Sequence, residues 1–199
     1  KKFNFKFLEK LRKNNKIGGQ LDTQNIKIND WNTGSLGHTV GISIGLSLAK
    51  PYSKIFNIIG DAEIDEGSVW EGLMYISEKK IKNIIIIIDR NNQSASTFIK
   101  KKEVFDKDFL KLLNLNYFKI NGHSHKSISQ AISKSLISKR SSIIIANTTK
   151  GYGFKEFEKN LKYSHESPDK KFLNKIIGKY EKKNRILEIY FSIILKVFF

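Results

Sequence analysis

Five consecutive isoleucines, Ile84 to Ile88, constrain this chain more than any other feature. Every residue of the run is β-branched, which suits a pleated strand better than a helix. It carries no polar alternation, so it needs cover on both faces, as strands of parallel sheets have. Asp89-Arg90-Asn91-Asn92 ends it. Upstream, Ile55-Phe56-Asn57-Ile58-Ile59 is a second short apolar run, stopped by Gly60-Asp61, and it reads as another buried strand. Between the two, Val69, Trp70, Leu73, Met74 and Ile76 recur at three- and four-residue steps from Ser68 to Lys80, the period of an amphipathic helix. Strand, helix, strand makes a right-handed crossover joining parallel strands.

The pattern repeats further on. Tyr117 to Ile120 is a strand, Ile128, Ala131, Ile132 and Leu136 mark a helix, and Ser142 to Ala146 is another apolar strand. Two such units predict an α/β fold: an open, mostly parallel β-sheet of at least four strands with helices on both faces. Around them, Thr33-Gly34-Ser35-Leu36-Gly37 runs into a helix from about His38 to Ala49. Within it Gly41 and Gly45, four apart, read as a site of close helix packing. His38 reads as a capping or surface residue. Ser94 to Asp108 is a polar loop, and Leu110 to Leu115 closes a helix. Phe172, Leu173, Ile176, Ile177 and Tyr180 make a last helix, and Lys1 to Lys16 mixes phenylalanines with lysines.

Composition narrows the classes. The 199 residues suffice for a substantial single core. With no cysteine, disulfides, thiol catalysis and thiolate metal sites are excluded, and a cytoplasmic location is permitted and expected. No signal peptide is expected. A formal charge of +17 invites a nucleic-acid reading. The basic residues, however, are spread over the whole chain and form no module, so attraction of phosphorylated small molecules is the simpler use of the field. No nucleic-acid and no membrane partner is expected. The apolar tail from Ile186 is interrupted by Glu188 and Lys196 and is too short to span a bilayer.

Asp61 and Asn91 each follow a strand, which puts both on the rim at the carboxyl ends of the sheet, where open α/β folds bind ligands. A carboxylate, a carboxamide and a loop carbonyl such as that of Gln93 are hard oxygen donors suited to Mg²⁺ with phosphate oxygens completing the shell. A plain structural account stands beside this: Asp61 caps a helix and Asn91 is a turn residue. Asp61, Glu63 and Asp65 alternate as in a calcium-binding EF-hand, but that loop's required glycine is Glu66 here and its closing glutamate is Gly72. No Gly-x-Gly-x-x-Gly links a strand to a helix, which excludes the usual nicotinamide site.

Gly60-Asp61-Ala62 with Asn91 resembles the thiamine-diphosphate motif, usually Gly-Asp-Gly followed by Asn. Glu66-Gly67-Ser68-Val69-Trp70-Glu71 and Asp89-Arg90-Asn91 resemble transketolases in particular, above all the split type whose first subunit carries only the diphosphate-binding domain. Thr33-Gly34-Ser35-Leu36-Gly37, Asn121-Gly122-His123 and Thr149-Lys150-Gly151-Tyr152-Gly153 agree in order, so the resemblance runs from about Leu8 to Tyr180.

The resemblance implies a thiamine-diphosphate-binding fold over residues 1–184, truncated at its start, followed by a tail, 185–199, without family counterpart. It implies thiamine diphosphate and Mg²⁺ as cofactors, with Asp61, Asn91 and the Gln93 carbonyl on the metal. Gly34, Leu36, Gly60, Asp61, Ala62, Asn91 and His165 would line the cofactor, and Glu66 and His165 would serve catalysis. Glu66 would meet a partner's glutamate across an interface, its alternative being a first-turn helix acid. The reaction implied is transfer of a two-carbon ketol unit between sugar phosphates, with a pyrimidine-binding transketolase subunit completing a dimer or heterotetramer. Three departures stand out. Gly19-Gln20-Leu21 replaces a Gly-His-Pro, Ala62 replaces a glycine, and Ser164 or His165 can match the family's later histidine. The alternatives are another thiamine-diphosphate enzyme (a deoxyxylulose-phosphate synthase or a 2-oxoacid dehydrogenase first component) or a non-catalytic remnant of the fold.

Overall fold

The computed structural model describes residues 23, 30–94, 97–99, 107–158, 160–164, 166 and 168–181. The expected features at 1–16, at Gln20, at His165 and in the tail 185–199 lie outside the described residues. The chain divides into two compact units, one of Ser35–Leu161 and one of Lys1–Gly34 with Lys162–Phe199.

In the first unit four strands form one parallel sheet: β1 (Ile55–Gly60), β2 (Ile84–Arg90), β3 (Asn116–Asn121) and β4 (Ser142–Asn147), in the order β1-β2-β4-β3. The helices are α1 (His38–Ala49), α2 (Gly67–Glu78), α3 (Lys107–Leu112) and α4 (His125–Leu136). Strand β2 sits between β1 and β4, which explains why five isoleucines in a row are tolerated there. Alternate residues serve opposite faces. Ile84, Ile86 and Ile88 join Ile59, Ile143 and Ile145 under α1, α2 and α3, together with Val40, Leu73, Ile76 and Leu110. Ile85 and Ile144 face the other way and pack with Ala131 of α4. The strand runs two residues past the isoleucines, because Asp89 and Arg90 still pair with Ala146 and Asn147.

Two expectations are corrected. Strand β1 is not buried on both sides: among the described residues it is an edge strand, and Phe56 and Ile58 stand 49% and 68% exposed while Asn57 and Ile59 point inward. Helix α4 covers the part of that face formed by β3, β4 and Ile85 of β2 and leaves the β1 part open. Nor do Gly41 and Gly45 admit a neighbouring helix, since a methyl group at either would touch nothing. The close approach is made by Gly72 of α2, where an added Cβ would lie 2.6 Å from a methyl of Val40. His38 is an exposed first residue of α1 and not its cap.

In the second unit, α5 (Lys170–Glu181) buries Leu173 and Ile176, the expected closing helix. Its first turn is capped by Asp169, whose carboxylate accepts from the N–H of Phe172 at 2.8 Å. Among the described residues no helix is long and apolar enough to cross a membrane.

Candidate functional site

Parallel register decides what meets at the sheet rim. Gly60 lies opposite Asp89, so the residues that follow, Asp61 on one strand and Asn91 on the next, emerge at the same carboxyl edge. Asp61 is buried, and one carboxylate oxygen accepts a hydrogen bond from the backbone N–H of Asn92. Its other oxygen lies 3.9 Å from Nε of Arg90, a pair with both side chains 4% exposed. Burial pushes the Asp61 carboxyl above its ordinary range, the Asn92 N–H and the Arg90 charge pull it back, and Asp89 adds to the rise.

Asn91 closes a side-chain turn. Its carbonyl oxygen accepts from the N–H of Gln93 at 2.9 Å, and its amide donates to Asp89 at 3.3 Å. Asp89 in turn accepts from the hydroxyl of Thr148, beyond the end of β4. Asn91 is therefore oriented by partners on its own strand end, with a second lone pair of its oxygen available for another ligand. Gln93 is 6% exposed, and among the described residues neither polar atom of its side chain has a hydrogen-bond partner.

Ala62 takes φ −69° and ψ −31°, an ordinary right-handed conformation. Nothing in the backbone there requires glycine, so the methyl group introduces no strain. Glu66 is the N-cap residue of α2, half-buried, and its side chain makes no capping bond. It does not act as a first-turn acid inside the helix. Gly37 holds the start of α1 at φ 76°, and a Cβ there would fall 2.7 Å from Ser68 Oγ and 2.8 Å from Glu66 Cβ. The end of the Thr33–Gly37 loop is thus pressed against the start of α2, with Leu36 half-exposed beside it. Gly34 lies in the other unit, at φ 136°.

His123, at the end of β3, accepts the Thr149 N–H at 2.8 Å through Nε2 and stacks on Tyr152 at 3.7 Å. It ties the loop after β3 to the loop after β4. A cavity of about 570 Å³ opens beside this rim, floored by Ile87, Ile120 and Ile144 and edged by Asn91, His123 and Lys150. Among the described residues no cluster of three or more His, Cys, Asp or Glu side chains forms. A cation here would rest on one carboxylate, a carboxamide and main-chain oxygen. All are hard donors, and the set fits Mg²⁺ with phosphate supplying the rest.

Glu63 entered the sequence reasoning only as part of a calcium loop. One of its oxygens accepts the Gly37 N–H at 3.1 Å and the other the Gly60 N–H at 2.8 Å. The available signal was an acid three residues beyond a strand-ending glycine.

Known proteins resemble this chain. The family model described as transketolase, thiamine diphosphate binding domain, matches residues 8–175. An apulose-4-phosphate transketolase subunit of Actinobacillus succinogenes is 31% identical over 146 residues, 70% of this chain and 52% of that protein. Transketolase-like protein 2 of Bos taurus is 31% identical over 144 residues, 68% of this chain and 23% of that one. The chain therefore spans about half the length of the first relative and about a quarter of the second. The crystal structure of transketolase from Campylobacter jejuni superposes with a TM-score of 0.66 at 24% identity, over 83% of this chain and 29% of that chain, a likeness of fold.

Proposed function

The chain belongs to the transketolase family, in its thiamine diphosphate binding domain, and we propose that it is the diphosphate-binding half of an enzyme moving a two-carbon ketol unit between sugar phosphates. The observation that carries the proposal is the delivery of Asp61 and Asn91 to one rim by adjacent parallel strands. Asp61, Asn91 and the main-chain oxygen of Gln93 would hold Mg²⁺, which offsets the charge that a diphosphate brings near a buried carboxylate. Thiamine diphosphate, when bound, supplies the carbanion chemistry that no amino-acid side chain provides.

The chain's own residues bind and orient. Gly60 and Ala62 would bind the diphosphate, and Gly34 and Leu36 would offer backbone to the rest of the cofactor. Glu66 would share a proton with a glutamate of the pyrimidine-binding partner, and His165 would face diphosphate and substrate. One feature supports the need for a second polypeptide: the Actinobacillus succinogenes relative is itself named as one subunit of a transketolase. The pyrimidine-binding domain would then come from a separate chain, giving a dimer or heterotetramer. The net charge of +17 favours anionic sugars over neutral ones by long-range attraction.

Calorimetric titration with thiamine diphosphate and Mg²⁺, alone and with a pyrimidine-domain partner, tests the proposal. Heat of binding in the presence of that partner, followed by ketol transfer between sugar phosphates, supports it. Binding without ketol transfer points to another thiamine-diphosphate reaction. A folded chain that binds under neither condition is a remnant, and the proposal fails.

A further inference from the structure

We infer that Glu63 is a positioning residue that holds the two cofactor-facing loops of this chain in register before any ligand arrives. The inference rests on the thiamine-diphosphate reading above and adds a role to a residue which that reading leaves unused. Glu63 lies in a short turn after β1 and is half-buried. Its two oxygens are divided between two loops: Oε1 accepts the Gly37 N–H at 3.1 Å and Oε2 the Gly60 N–H at 2.8 Å. Gly37 ends the Thr33–Gly37 loop and starts α1, while Gly60 is the residue before Asp61. A single carboxylate therefore spans the loop carrying Leu36 and the strand end carrying Asp61.

Bonds from N–H groups to a carboxylate are stronger than neutral ones, and a bidentate acceptor also fixes the angle between its donors. Gly37 cannot be held by a side chain of its own, because an added Cβ would strike Ser68 and Glu66. Nor does the residue starting α1 offer a capping side chain. The carboxylate of Glu63 takes both parts: it accepts the orphan N–H at the start of α1 and sets that start against the Asp61 strand. Without it, the two loops are joined through apolar packing, Val40 of α1 against Ile59 of β1 and Leu73 of α2 in one core. In this role Glu63 acts on geometry, through Gly37 and Gly60.

Amide hydrogen exchange of the full chain, with affinity for thiamine diphosphate and Mg²⁺, tests this in Glu63→Ala and Glu63→Gln. In Glu63→Ala, exchange at the Gly37 and Gly60 amides should accelerate on the order of tenfold or more while the Ile85–Ile88 amides keep their protection. Affinity should fall roughly ten- to a hundredfold, the usual effect of losing an orienting partner. Glu63→Gln keeps one acceptor oxygen, so it should restore part of the affinity and protect one of the two amides. Affinity is read under whichever of the two titration conditions the wild-type chain binds. Faster exchange throughout the sheet, unchanged protection at both glycines, or faster exchange with wild-type affinity would each overturn the positioning role. A wild-type chain that binds neither alone nor with a partner removes the cofactor reading, and the role of Glu63 falls with it.

Discussion

The carboxylate of Asp61 accepts a hydrogen bond from the backbone N–H of Asn92, so the acid ending one strand is fastened across to the turn that carries Asn91 on the next. That bond and the Arg90 guanidinium 3.9 Å away are the compensation for burying an acid.

Because burial raises the Asp61 pKa, the folded chain holds this proton more tightly than the unfolded chain does. Stability from this group is therefore full below the ordinary carboxylate pKa and is lost as pH rises through the raised value. Denaturant titrations of the metal-free chain should show Asp61→Asn gaining on the wild type across that window and levelling off above it. Mg²⁺ competes with the same proton, so wild-type affinity for Mg²⁺ with thiamine diphosphate should climb over the same window. In Asp61→Asn it should be lower on the order of a hundredfold, judged against the cost of losing even an outer partner. Affinity that is flat with pH in the wild type would contradict this.

Gly72→Ala should destabilise the chain by about 1–3 kcal/mol, since its Cβ would lie 2.6 Å from Val40. Gly41→Ala and Gly45→Ala, which meet nothing, should each stabilise α1 by roughly 0.5–1 kcal/mol. Urea unfolding of the three variants is the check, and the opposite order would mean that α1 and α2 pack differently.

Ile58 and Ile59 are neighbours in sequence on opposite faces of the edge strand. Ile59→Ala should cost about 2–5 kcal/mol, as core truncations do. Ile58→Thr, on the exposed face, should stay within about 0.5 kcal/mol of the wild type. Thermal unfolding separates the two.

Gln93 buries an amide that has no partner at either polar atom. Gln93→Leu should stabilise the free chain by roughly 1–3 kcal/mol, the desolvation cost of such a group. It should leave Mg²⁺ affinity within about twofold, because the proposed ligand there is main-chain oxygen, which the substitution retains. A large loss of affinity would show that the side chain itself reaches the cofactor.

His123→Ala should cost about 1–2 kcal/mol through loss of the Thr149 hydrogen bond and the Tyr152 stack. Exchange at the Thr149 amide should rise, and His123→Asn should recover part of the protection.

Much of the architecture was legible in the residues. The isoleucines of β2, the period of α2 and the repeated strand-helix-strand unit are local signals, and parallel pairing follows from the crossover. The shared rim of Asp61 and Asn91 was legible for the same reason, since two strand ends in parallel must face one way. Which strand lies at the edge was not. Ile55–Ile59 and Ser142–Ala146 are runs of similar length and polarity, and only the order β1-β2-β4-β3 separates a strand with one bare face from a central one. The glycines misled because spacing on a helix does not say which side meets a neighbour: Gly41 and Gly45 look outward, and Gly72 makes the contact. Glu63, weighed only as part of a calcium loop, showed no other role because its two partners are backbone N–H groups, invisible in sequence, and one of them is twenty-six residues away.

The bare flank of β1 has a practical consequence for handling the molecule. Phe56 and Ile58 sit in water on a strand that, among the described residues, has a neighbour on one side alone, an arrangement that invites self-association. Mutual repulsion from the surplus of seventeen positive charges opposes that tendency and is damped by dissolved salt. Preparations of this chain should therefore stay clear in dilute buffer and turn cloudy as sodium chloride is added, the reverse of ordinary salting-in.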